Sequence, residues 1–214
     1  MMTREGARGM EWNAWSSGNP PEHYTILPFT RGLAGPLDYT PGTFDILFKN
    51  AKDRVKWNDL DKGTSRVNTT LAKQLALFVV LYSPMQMASD LIENYENQPA
   101  FKFIKDFAVD WEISKVLNGK IGDYITIVRK DKETDNWFLG SITDENKREL
   151  KVELSFLDPK KKYIAEIYAD GTNADWKTNP QAIEINRIKV TSKTVLLLKL
   201  APGGGQAIKF SPLN

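Results

Sequence analysis

Cysteine is absent from the 214 residues, and histidine occurs once, at His23. The first absence excludes disulfides, thiolate metal sites and cysteine nucleophiles. The second excludes a metal centre built on several histidines, and it makes a Ser–His–Asp triad a poor reading, because a lone histidine is more often structural. Long apolar runs are missing too. The longest, "LALFVVLY" at 75–82, falls far short of the ~20 residues that span a membrane, so no membrane role is expected. The opening residues lack the charged-then-apolar pattern of a secretory leader. Neither sign of charge dominates. The 29 basic and 27 acidic residues leave a net charge of +2, without the basic excess of a nucleic-acid binder. Lys160, Lys161 and Lys162 follow a proline and read as a solvated turn.

What is present is an ordinary soluble composition, 41% hydrophobic and 26% charged, on a chain long enough to bury a real core. Its grammar changes near residue 108. Before that point the pattern is loops and helices. "NTTLAKQLALFVVLYSP" predicts a helix capped by Asn68, Thr69 or Thr70, stopped by Pro84 and apolar around most of its circumference. "MQMASD" at 85–90 reads as a short buried strand. "QPAFKFIKDFAV" reads as a second helix, with Pro99 in its first turn and Phe101, Ile104 and Phe107 on one face. Helix, strand, helix is α/β grammar. After residue 108, segments such as "LKVELSF" (150–156) alternate with period two. They are separated by turn signals at Asn118-Gly119, Asp131 to Asp135, Asp158-Pro159, Asp170-Gly171 and Gly203-Gly204-Gly205. Seven or eight short strands in about a hundred residues predict an antiparallel sandwich.

The candidate site lies at the start, in "REGARGMEWNAWSSGNPPEH". Glu11 stands between Met10 and Trp12, flanks that would desolvate a carboxylate and raise its pKa toward the range a general acid needs. Trp12 and Trp15 offer flat faces of the kind that sugars stack on, although core packing is the commoner use of a tryptophan. Glu5 sits between Arg4 and Gly6. It could serve a hard cation, or simply pair with Arg4 or Arg8. "APGGGQ" at 201–206 lacks the Lys-Ser/Thr of a phosphate loop and reads as a hairpin turn. Asp38 and Asp90 fall at expected element ends, Asp90 as an N-cap.

Taken together, "MTREGARGMEWNAW…NPPEHYTILPFTRGLAGPLDYTPG", "TTLAKQLALFVVLYSPMQMASDL", "FKFIKDFAVDWE…VLNGKIGDYITIVRKD…NWFLGSITDEN" and "LAPGGGQAIKF" resemble the C-terminal part of glycoside hydrolase family 97 over essentially the whole chain. The resemblance implies an α+β multidomain protein. Residues 1–108 would be the last part of a (β/α)8 catalytic barrel, and residues 109–214 a C-terminal β-sandwich. It implies hydrolysis of α-glucosides or α-galactosides, a calcium ion in the active site, a periplasmic location and an α-linked oligosaccharide as substrate. Glu11, in "RGME", takes the place of the general acid, and Glu5, six residues earlier, that of a calcium ligand. The family's second carboxyl, base or nucleophile, lies upstream of "REG", as do the other calcium ligands. Since glycoside hydrolysis needs two carboxyls, the chain is expected to be inactive alone and to self-associate through exposed barrel surface. The alternative is a non-catalytic sandwich that binds carbohydrate or packs against another domain.

Overall fold

The computed structural model describes residues 4–5 (backbone only), 8–14, 16–48 and 65–213. The first half contains a two-residue strand β1 (Arg4–Glu5), a 3-10 turn (Met10–Ala14), α1 (Pro21–Ile26) and strand β2 (Leu37–Asp38). Helices α2 (Leu71–Val80), α3 (Ile92–Tyr95) and α4 (Phe101–Asp106) follow. β1 and β2 pair in parallel, Arg4 opposite Leu37 and Glu5 opposite Asp38. On the other edge of β2, Leu37 N donates to Tyr82 O at 2.9 Å. The chain therefore returns beside β2 after passing through α2, as a parallel crossover does.

The second half holds eight strands: β3 (Trp111–Lys120), β4 (Tyr124–Asp131), β5 (Trp137–Thr143), β6 (Arg148–Glu153), β7 (Tyr163–Asp170), β8 (Ile183–Val190), β9 (Val195–Leu200) and β10 (Gly205–Pro212). Six form one antiparallel sheet in the order β3-β4-β5-β10-β7-β8, and β6 with β9 forms a second. The pleat sends alternate residues to opposite faces. Trp137 and Leu139 of β5 join Ile208 and Phe210 of β10 in a core closed by Val152, Leu198 and Leu200 of the small sheet. Phe138 and Ile142 point the other way, with Ile125, Ile127, Tyr168 and Ala207, into a second core.

That second core is where α2 sits. All ten of its residues are buried, as an all-round apolar helix requires. The six-stranded sheet covers one side, and Leu37, Tyr39, Phe44, Ile46 and Val67 contribute to the rest of the cluster. Burying a side chain such as Leu75 or Phe78 contributes about 1.5–3 kcal/mol. Both helix ends are tied to the sandwich. Thr70 caps the N-terminus, its hydroxyl accepting from Lys73 N, and Thr70 N donates to Gly203 O. The triple glycine does more than turn the chain, since a Cβ on Gly205 would lie 2.7 Å from Lys73 Cα. At the C-terminus, Arg129 Nε donates to Val79 O at 2.7 Å. Burial pushes the Arg129 guanidinium down to about 10.

Lys73 is fully buried and donates Nζ to Pro21 O (2.9 Å) and Thr143 O (2.7 Å), with the Tyr24 ring 4.8 Å away. Desolvation pulls its ammonium down to about 7, against the pull of Glu145, Asp170 and Asp144. Burial pushes Asp170 up to about 6, although Thr70, Ala201 and Gly205 all donate to it.

Several expectations are corrected. Residues 85–90 are not a strand: Met85 is 65% exposed. Gln86 instead caps α2 by donating to Phe78 O and Leu81 O. The Asn118-Gly119 pair is not a turn but lies within β3, opposite Thr126 and Ile125. The reversal falls just beyond, where Gly122 has φ +79°. Pro99 precedes the N-cap of α4, Ala100, and Phe103 rather than Phe101 is its most buried residue. Asp90 lies before the N-cap of α3, Leu91. Its Oδ2 accepts from Phe44 N (2.6 Å) and Asp45 N (2.7 Å), pinning a distant loop instead. β6 ends at Glu153, so Leu154 and Phe156 of "LKVELSF" lie beyond the strand.

Candidate functional site

The segment that carries Glu11 begins at the C-terminal end of β1. In parallel α/β architecture the chemistry sits at that end of the strands, because the following loops are free to vary. Arg8 takes a left-handed φ of +54°, uncommon for a residue with a side chain, and redirects the chain into the 3-10 turn. Gly9 follows, and its open side lies under the Glu11 carboxylate. A Cβ would lie 2.4 Å and 2.8 Å from the two Glu11 carboxylate oxygens. The Glu11 carboxylate thus folds back over its own turn.

Glu11 is exposed, while Met10 and Asn13 are buried. The desolvation expected from its flanks is not found in this chain. Met10 turns into the core, and the Arg8 guanidinium lies 5.2 Å from the centre of the half-buried Trp12 ring. Neither flank covers the carboxylate. Trp15 and the Glu5 side chain lie outside the described residues. The backbone places Glu5 beside Asp38, their Cα positions in register on adjacent parallel strands, and Asp38 is half-buried.

The turn is held from below by a buried polar cluster that sequence reasoning missed. Asn13 Nδ2 donates to Met10 O at 3.0 Å, and Asn19 N donates to Asn13 Oδ1 at 2.8 Å. Asn19 Nδ2 reaches Arg8 O (3.0 Å), Gly9 O (3.4 Å) and the Tyr39 hydroxyl (3.2 Å). Asn68 Nδ2 donates to Ser17 O and Asn19 O. His23 Nε2 also meets Arg8 O at 3.2 Å. Burial lowers the His23 pKa, consistent with a neutral ring donating to that carbonyl and with a structural role. Burial raises the Tyr24 phenol to about 12 and lifts Tyr39 well above its ordinary value, with the Glu11 charge adding to the Tyr39 shift. The sequence signal was faint: two asparagines six apart around a Ser-Ser-Gly loop, a composition that only predicts a turn.

Calcium takes 6–8 oxygen ligands. Among the described residues no three His, Asp or Glu side chains cluster for a metal. The described residues alone do not make up a full calcium site. Also among the described residues, no helix is long and apolar enough to cross a membrane.

The chain is similar to known proteins along its length. Residues 110–211 match the family described as "Glycosyl-hydrolase 97 C-terminal, oligomerisation". Over 209 residues the chain is 36% identical to a retaining alpha-galactosidase of Bacteroides thetaiotaomicron, covering 96% of this chain and 30% of that protein. A glycoside hydrolase family 97 enzyme of Pseudoalteromonas sp. strain K8, solved with acarbose, matches all of this chain and 32% of its own at 50% identity and a TM-score of 0.91. A single-substitution variant of a family 97 enzyme from the same strain, solved with panose, matches at 49% identity with the same TM-score and coverage. A β-arabinopyranosidase shares the fold alone, at 22% identity and a TM-score of 0.67.

Proposed function

Since the chain belongs to glycoside hydrolase family 97 and spans 30–32% of the length of the relatives it matches, we propose that it is the C-terminal portion of an enzyme hydrolysing α-glucosides or α-galactosides, with Glu11 as general acid. The observation that carries the proposal is the placement of Glu11. It is an exposed carboxylate shortly after the C-terminal end of a parallel strand, lying over Gly9. A group so presented can protonate a leaving glycosidic oxygen once a second carboxylate stands on the far side of the sugar. That second carboxylate belongs to the upstream portion, together with most of a calcium site to which Glu5 would contribute. Trp12 remains a candidate sugar platform. The α/β segment before residue 108 is read as the last part of the catalytic barrel.

A second reading has its own support. The inner strands β4, β5, β10 and β7 of the six-stranded sheet offer one face to α2 and its surroundings, a second role for the sandwich as a packing module for the segment that carries Glu11.

The test joins this chain to the upstream portion of the Pseudoalteromonas enzyme and assays aryl α-glucosides and α-galactosides with calcium present. Turnover that Glu11→Gln lowers by about 10²–10⁴ is expected, the usual worth of general acid catalysis. A Glu11→Gln enzyme as fast as its parent contradicts the assignment.

A further inference from the structure

We propose that Asn19 is a positioning residue for the acid, fixing the turn from which Glu11 projects; the inference rests on Glu11 being that acid. Glu11 projects from a single 3-10 turn, Met10–Ala14. The turn is short, begins at a left-handed Arg8 and is exposed on its outer side. On its inner side, three consecutive carbonyls also accept from side chains, Arg8 O beside His23 Nε2 and Gly9 O beside the Trp12 N–H of the turn itself. Those of Arg8 and Gly9 both receive Asn19 Nδ2, and that of Met10 receives Asn13 Nδ2. Asn13 is in turn held by Asn19, whose own N–H donates to Asn13 Oδ1. One side chain and one amide of a single residue therefore brace all three carbonyls, directly or at one remove, alongside His23 and the turn's own hydrogen bond.

Asn19 is itself well anchored. It is fully buried. Its amide meets the hydroxyl of Tyr39, the residue that follows the end of β2, and its carbonyl accepts from Asn68 just ahead of α2. It thus links the acid-bearing turn to two elements of the α/β segment. A carboxylate displaced by about 1 Å from its productive position can cost about 10²-fold in rate, so the framework under Glu11 matters as much as the group itself. Aspartate cannot replace Asn19, because a carboxylate has no proton to offer the two backbone carbonyls.

A general acid assists a poor leaving group and is nearly irrelevant to a good one. The test therefore compares two substrates of the joined enzyme, a methyl α-glycoside and the matching α-glycosyl fluoride. With Asn19→Ala, kcat on the methyl glycoside should fall about 10–100-fold, with KM nearly unchanged and turnover of the fluoride within about 3-fold of the parent. Equal losses on both substrates would mean a merely structural role and would overturn the proposal. Glu11→Gln serves as the control. If it shows no such difference between the substrates, the acid assignment fails; if it does and Asn19→Ala does not, only the positioning role fails. Hydrogen exchange on the chain itself gives a second readout that needs no activity. Asn19→Ala and Asn13→Ala should each speed exchange of the Trp12 amide, which donates to Gly9 O, and leave the strands of the sandwich protected. Unchanged exchange at Trp12 in both variants would overturn the proposal.

Discussion

The Thr70 hydroxyl donates to Asp170 Oδ1 at 2.5 Å, across 100 residues of sequence. The other oxygen of that carboxylate accepts from Ala201 N (2.8 Å) and Gly205 N (2.9 Å). A single buried side chain thus joins the first turn of α2 to the end of β7 and to the turn between β9 and β10. Asp170→Ala removes the partner of three part-buried donors, and leaving a buried group unpaired costs about 1–3 kcal/mol, less where water can enter. The variant should lose about 2–4 kcal/mol in urea unfolding. A change below about 0.5 kcal/mol, the range of ordinary surface substitutions, would show that the carboxylate holds nothing together.

Lys73 makes stability depend on pH in the unusual direction. An unfolded lysine keeps its proton up to about pH 10.4, whereas the buried ammonium releases it near 7. Between those values the unfolded chain binds more protons, so stability rises with pH. The gain is complete above the unfolded pKa and is lost as pH falls through about 7. Asp170 works oppositely: its raised pKa favours the fold below the ordinary aspartate range, and that contribution is gone once pH passes about 6. It therefore leaves the alkaline window clear. Between pH ~7 and ~9.5 the chain should gain about 2–4 kcal/mol. Lys73→Met should flatten the curve. The same slope in both proteins would contradict the assignment.

The boundary proposed near residue 108 can be tested by cutting there. The sheet of residues 109–214 has its own core against β6 and β9, and it should fold alone. Cutting uncovers Phe138, Ile142, Ile125, Ile127 and Tyr168, so the fragment should bind an apolar dye or self-associate. Residues 1–108 lose the sheet that covers α2 and should not fold. Limited proteolysis of the whole chain should leave a resistant C-terminal piece. A stable N-terminal fragment with digested strands would refute the division.

Calcium should bind this chain weakly. Among the described residues the paired strand ends bring together only Glu5 and Asp38, well short of the 6–8 oxygens the ion takes. Calorimetry should show no stoichiometric site of micromolar affinity, and finding one would mean that the chain holds ligands of its own.

Legibility in the sequence followed the strength of the physical signal. α2 could be read because its apolar run is long and its ends carry Thr70 and Pro84. The sandwich strands could be read because alternation is a local pattern. Residues 85–90 misled, because a short apolar stretch predicts burial without saying what would bury it. Asn118-Gly119 misled because β3 continues past a pair that usually turns. Glu11 was singled out from its flanks and given the acid's place by resemblance, and its exposure differs from the desolvation inferred from those flanks. The asparagines beneath it were not found at all: their role depends on which carbonyls the fold brings within 3.5 Å, and no periodicity encodes that.

The most direct measurement of the central claim is the pH profile of kcat/KM for the joined enzyme and its Glu11→Gln variant, on a substrate with a poor leaving group. A general acid must be protonated to act, so the parent should lose activity on the alkaline limb. Glu11→Gln should be slow and show no such limb. A variant that keeps the parent's alkaline limb would place the acid on another residue.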